Sequence, residues 1–153
     1  MLKLLPGPLR GLLSLSLYVL NTIFWVIPIF FIALLKILLP LPAWRRWCNH
    51  VLNSIAVNWI GVNNFNQKLF GDTRLEICGT NALKPRGWYL VIANHQSWVD
   101  ILVLQRVFHR KIPFLKFFIK KELFWVPLLG QAWWALDFPF MKRYSKKFLA
   151  RHP

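Results

Sequence analysis

The strongest constraint on this chain is a run near its N-terminus: from Leu12 to Leu35 no residue carries a charge. At about 1.5 Å of rise per residue, a helix of that length covers roughly 36 Å, enough to cross the hydrocarbon core of a bilayer. The run is too long for a cleavable signal peptide, and the Ile37–Pro42 stretch after it lacks a small-residue cleavage site. It reads as a membrane segment. Lys3 and Arg10 precede it while Lys36, Arg45 and Arg46 follow it, and that slight basic excess puts the C-terminal flank in the cytoplasm. Pro28 sits inside the run, where it can kink a helix into a hairpin that enters and leaves one leaflet. A full span and a monotopic anchor therefore both fit.

Composition agrees with a membrane location. Apolar residues make up 56% of the 153, and 20 Lys and Arg against 5 Asp and Glu give a formal charge of +15. Mean hydropathy is +0.41. Such charge draws a chain towards phosphate, on nucleic acid or on anionic lipid. The nine Trp and thirteen Phe tilt the choice, because amphipathic rings concentrate at bilayer surfaces. Basic residues crowd the chain from Arg110 onward, but no base-reading motif is present, so nucleic acid is not an expected partner. Cys48 and Cys78 lie in unlike contexts and define neither a disulfide framework nor a metal-ligand spacing. There is no CxxC, HExxH, P-loop or GxSxG elbow, so no metal or nucleotide cofactor and no serine nucleophile is expected.

Beyond Pro40 and Pro42, the residues Trp44, Trp47, Cys48, Val51, Leu52, Ile55, Ala56, Trp59 and Ile60 repeat at the spacing of one helical face. Arg45, Arg46, Asn49, His50, Asn53, Ser54 and Asn58 occupy the opposite face. That pattern suits a helix lying in the lipid interface and equally one packed on a core. Gly61 is its expected end, and Asn63–Gly71 reads as a loop. Two strands are predicted next, Arg74–Cys78 and Trp88–Ala93, the second apolar enough to be buried on both faces. Helical spacing resumes over Val99–Val107 and again over Phe117–Leu123. Pro127 and Gly130 interrupt, and Leu136–Met141 reads as a further short strand. The expected fold class is α/β, arranged as a membrane anchor over 1–42, an amphipathic interfacial helix and loop over 43–73, and an α/β domain from 74 to 153.

The segment that carries chemistry is Asn94-His95-Gln96-Ser97-Trp98-Val99-Asp100, where a strand is expected to give way to a helix. In such a turn the Asp100 carboxylate can accept the His95 Nδ1 proton and fix the tautomer. The other ring nitrogen is then free to take a proton from an alcohol near neutral pH. Backbone N–H groups at the start of the helix would be placed to hold a developing oxyanion. The plainer alternative makes Asn94 a turn residue, Asp100 a partner of the helix dipole and His95 a space-filler.

The whole string resembles the NHxxxxD signature of the glycerolipid acyltransferases, in particular the 1-acylglycerol-3-phosphate (lysophosphatidic acid) acyltransferases. Val91 to Ile101 is similar to the family's first block almost residue for residue, which implies His95 as catalytic base and Asp100 as its orienting partner. Lys120–Leu123 and Pro127–Gly130 resemble the segment between blocks, and Phe138–Arg143 resembles the second block. The arginine that ends that block is Arg143, with a planar fork suited to the acceptor's phosphate. Lys142, Asn94 and Ser97 complete the expected substrate-binding set. The resemblance implies acyl transfer from acyl-CoA or acyl carrier protein to a lysophospholipid hydroxyl, without metal or covalent intermediate. It implies an α/β domain mounted on N-terminal membrane helices, with the active site on the cytoplasmic face of a bacterial inner membrane. The family's third block, Glu-Gly-Thr-Arg, and its fourth, proline-bearing block have no counterpart here, so the likeness is to the N-terminal half of such an enzyme. The alternative function is a catalytically inactive membrane adaptor, and a half sheet with an unpaired edge is expected to associate with a partner.

Overall fold

The computed structural model of the chain describes residues 5–142 and Tyr144, and is mostly helical. Helix α1 runs over Gly7–Leu38, and a short turn with Pro40 delivers the chain into α2 over Pro42–Phe70. Each begins with a proline among its first two residues, where the missing N–H is no loss. α1 passes through Pro28 unbroken, so the hairpin lies between two helices and not within one.

The helices pair through a mixed seam. At one end Val26, Ile29 and Ala33 of α1 meet Leu52, Ala56 and Trp59 of α2 in the main apolar cluster. At the other end the seam is polar. Asn21 Nδ2 donates to Asn63 Oδ1 at 2.8 Å and to the Trp59 carbonyl at 3.2 Å. Ser14 Oγ donates to Asn66 Oδ1 at 3.1 Å while Asn66 Nδ2 returns a bond to the Ser14 carbonyl at 2.9 Å. These bonds correct the expected loop at Asn63–Gly71. Asparagine disfavours a helix by bonding to nearby backbone instead; here its amides are engaged across the seam, and α2 continues past Gly61 to Phe70. The apolar face predicted for α2 is largely core: Cys48, Leu52, Ala56, Trp59 and Ile60 are buried, and Trp47 is left exposed.

From Gly71 to Ser97 the chain forms no helix and no strand. The expected strands Arg74–Cys78 and Trp88–Ala93 are therefore absent as paired elements, and Trp88, Leu90 and Ile92 stand exposed where burial on both faces was expected. An extended segment becomes a strand only when another supplies its ladder, and no described segment does so. Helix α3 follows over Trp98–Phe108, matching the expected spacing, and packs on α2, where His109 Nε2 lies 3.0 Å from the Val57 carbonyl.

The remaining chain makes a small parallel pair, β1 at Ile119–Lys120 beside β2 at Phe140–Met141, joined through a 3-10 turn over Lys121–Trp125 and α4 over Leu129–Ala135. The α/β arrangement among the described residues is this pair alone. Phe117–Leu123, expected to be helical, divides between β1 and the 3-10 turn. The break near Pro127 falls at Leu128, whose φ is 65°, whereas Gly130 lies inside α4. A side chain at Gly130 would overlap the Phe124 carbonyl, so the close approach of turn and helix is what requires glycine there. Ile119, Ala132, Ala135, Leu136 and Phe138 join the cluster at the C-terminal end of α1. Asp137, in the left-handed region at φ 57°, pairs with Lys36 at 2.8 Å.

Candidate active site

Asp100 occupies the first turn of α3, with Ser97 as the N-cap residue in a capping box. Its Oδ2 accepts the backbone N–H of Gln96 at 2.6 Å and of Ser97 at 2.7 Å. Those two bonds, and after them the neighbouring His95, hold its carboxyl below the usual carboxylate range. The plainer reading of Asp100 as a capping residue is thus correct as far as it goes. The same Oδ2 also lies 3.5 Å from His95 Nδ1, within ion-pair reach but longer than the roughly 2.9 Å of a well-formed hydrogen bond. Capping and imidazole contact are served by one oxygen, because four residues of tight turn bring both to the same point.

The His95 side chain is 58% exposed, and its Nε2 has no protein partner among the described residues. Asn94 and Ser97 are exposed beside it. The Gln96 and Ser97 amides just ahead of the helix are engaged by Asp100 and are not available to a substrate, and the expected oxyanion donors belong to the helix start itself, at Trp98 and Val99. Lys142 is exposed beyond β2 and is not among the hydrogen-bond or ion-pair partners of His95 and Asp100, and Arg143 lies outside the described residues. No group of three or more His, Cys, Asp and Glu side chains that could hold a metal occurs among the described residues. Cys48 is buried and Cys78 exposed, both as free thiols.

A solvent-facing imidazole thus stands against a carboxylate where an extended segment enters a helix, an arrangement whose chemistry suits proton transfer. The family model described as Acyltransferase matches residues 74–152, and the chain belongs to this acyltransferase family, the glycerolipid acyltransferases. Acyl transfer is accordingly its general chemistry. No curated protein and no solved structure matches the chain.

Sequence reasoning took Arg10 only as a flank of the apolar run and passed over Arg106, and both line one cavity beside α3. The signal for the second was present: Val99, Leu102, Val103 and Arg106 repeat at helical spacing, a cation on an otherwise apolar stripe.

Proposed function

We propose that the chain moves an acyl group from a thioester, acyl-CoA or acyl carrier protein, to the free hydroxyl of a lysophospholipid, with lysophosphatidic acid as acceptor and phosphatidic acid as product. The observation that carries the reading is the His95–Asp100 contact in a chain of this family. His95 Nε2 takes the proton of the acceptor hydroxyl as its oxygen attacks the thioester carbonyl. The carbon–sulfur bond then breaks, and the proton passes to the departing thiolate. Asp100, ionised through the physiological range, steadies the imidazolium between those steps. Lys142 and Arg143 are the proposed partners of the acceptor phosphate, with Asn94 and Ser97 lining its approach. The extended segments 74–78 and 88–93 are proposed as sheet strands of the α/β domain once paired.

The proposed membrane disposition is monotopic, on the cytoplasmic face. α1 is long and apolar enough to cross a bilayer, with a mean hydropathy of 2.2 in its most apolar window. Yet both of its ends are fastened to the rest of the chain. Arg10 pairs with Asp72 at 2.8 Å, and Lys36 pairs with Asp137 at 2.8 Å. Those two positions are separated by roughly 39 Å along the helix axis, more than a hydrocarbon core of about 30 Å. A helix crossing upright would carry one of those clamps, with the polar chain attached to it, to the far side. Lying along the leaflet, it keeps both on one side and turns Leu12, Leu15, Leu20, Phe24, Ile27, Phe31 and Leu34, all exposed, into lipid.

Membranes bearing the chain, given radiolabelled acyl-CoA and lysophosphatidic acid, should form labelled phosphatidic acid in excess of control membranes. Absence of product with every thioester donor and every lysophospholipid tested would remove the transferase assignment. For the disposition, single cysteines at Gly7 and Leu39 in a Cys78→Ser background should react with an impermeant maleimide from the same side of sealed vesicles; labelling from opposite sides would establish a span.

A further inference from the structure

A cavity of about 420 Å³ opens where the N-terminal end of α1, the C-terminal end of α2 and one face of α3 converge. The volume falls within the range of small-molecule sites. Its lining divides by chemistry. Val99, Leu102 and Val103 of α3, with Leu75, form an apolar wall, while Arg10 and Arg106 bring two guanidinium groups to the same space. Arg10 is engaged with Asp72, but Arg106 makes no ion pair or hydrogen bond among the described residues. The dipole of α3 accounts for a cation in its last turn; it does not account for that cation sharing a cavity with a second arginine. Gly7 and Gly11 lie on the α1 side, and a Cβ at either would meet only open space. The residues next to Gly11 along α1, Leu12 and Leu15, belong to the exposed apolar surface.

We infer that this cavity binds an anionic phospholipid of the leaflet on which α1 rests, its phosphate on Arg106 and Arg10 and the start of its acyl chain along Val99, Leu102 and Val103. Guanidinium forks match phosphate oxygens bidentately, and only an amphiphile uses the cations and the apolar wall together. The site adjoins the reacting dyad through α3 but is separate from the acceptor-phosphate role given to Lys142 and Arg143. Occupancy ties α3, and with it the Ser97 cap and Asp100, to the membrane-facing helix. The inference rests on the membrane disposition proposed for α1 and not on the transfer chemistry.

The test is calorimetric titration of the full chain in non-ionic detergent micelles with dioctanoyl phosphatidylglycerol, an anionic lipid that is neither the proposed acceptor nor the product. Arg106→Gln should weaken binding roughly tenfold or more, and Arg106→Lys should recover part of it. Gly11→Leu, which improves helix propensity and fills the cavity from its open side, should weaken binding as much without lowering the thermal midpoint. Dioctanoyl phosphatidylcholine and inorganic phosphate should each bind at least about tenfold more weakly, since one lacks net charge and the other lacks a chain. Unchanged phosphatidylglycerol binding in both Arg106→Gln and Gly11→Leu would overturn the assignment. So would phosphatidylcholine binding equally well, or inorganic phosphate matching the lipid, which would mark a plain anion site.

Discussion

Replacing His95 by alanine removes the imidazole and little else, because the side chain is more than half exposed and belongs to no buried cluster. A positioned general base contributes about 10²–10⁴ in rate, or about 3–5 kcal/mol of barrier at 1.36 kcal/mol per tenfold. The geometry argues for the lower part of that range. The Nδ1–Oδ2 separation of 3.5 Å and the surrounding solvent leave Asp100 a weaker grip on the ring than in a buried triad. A fall in kcat of about 10²–10³ is expected, with KM for acyl-CoA nearly unchanged and with vesicle flotation and thermal midpoint preserved. Asp100→Asn is the companion variant: the amide oxygen can still accept the Gln96 and Ser97 N–H groups, so α3 keeps its cap while the ring loses its counter-charge. Its loss should be real but smaller than that of His95→Ala. Initial rates of labelled acyl transfer to lysophosphatidic acid, at saturating and sub-saturating donor, read all of this. A His95→Ala variant within a factor of about three of wild type would refute the base assignment. An Asp100→Asn variant more damaged than His95→Ala would show that the carboxylate serves chemistry the proposed mechanism does not contain.

Three further outcomes are expected. Leu52, 1% exposed at the centre of the α1–α2 seam, should cost about 2–5 kcal/mol when cut to alanine, seen as a lowered denaturation midpoint in detergent. Gly130→Ala should destabilise by about 1–3 kcal/mol as the Phe124 carbonyl is pushed aside, whereas alanine at Gly11, which meets nothing, should be neutral or stabilising by the same measurement. The Gln96 and Ser97 N–H bonds hold Asp100 below the ordinary aspartate pKa of 3.8 in the folded chain. Its contribution to the α3 N-terminus is therefore fully present above pH 3.8 and is lost as pH falls through the depressed value. A carboxyl-carbon NMR titration of the labelled residue should show its midpoint displaced to lower pH than in an unstructured peptide.

Much of the local chemistry was legible because it is short-range. The approach of His95 to Asp100 is set within one turn, and the helix beginning at Trp98 follows from Ser97 as cap and from apolar spacing over Val99–Val107. The uncharged run reads as helical in the same way, although only the structure chooses between the hairpin that Pro28 permits and the one long helix that forms. What could not be read depended on distant partners. Asn63 and Asn66 look like loop residues until Asn21 and Ser14 are brought beside them from more than 40 positions away. A cue did exist: Ser14 and Asn21 stand seven apart on one face of an otherwise greasy helix. The Trp88–Ala93 segment illustrates the converse. Its composition specifies a buried strand, but burial is a property of the neighbours a strand acquires, and among the described residues it acquires none.

The uncovered stretch from Gly71 to Ser97 has a practical consequence. It delivers His95 while few bonds among the described residues fasten it to the rest of the fold, among them Arg10 of α1 pairing with Asp72 at 2.8 Å and Lys111 Nζ donating to Thr80 Oγ1 at 2.9 Å. Cohesion of the helical body and integrity of the reactive loop are thus thermodynamically decoupled, since regions with few buried contacts open at much lower free energy than the core. Calorimetry on this protein would follow α1 and α2 and could report an intact sample whose loop is already open. Limited proteolysis between Arg74 and Arg86 is the more telling gauge, because nicking there would track loss of turnover with no change in the melt.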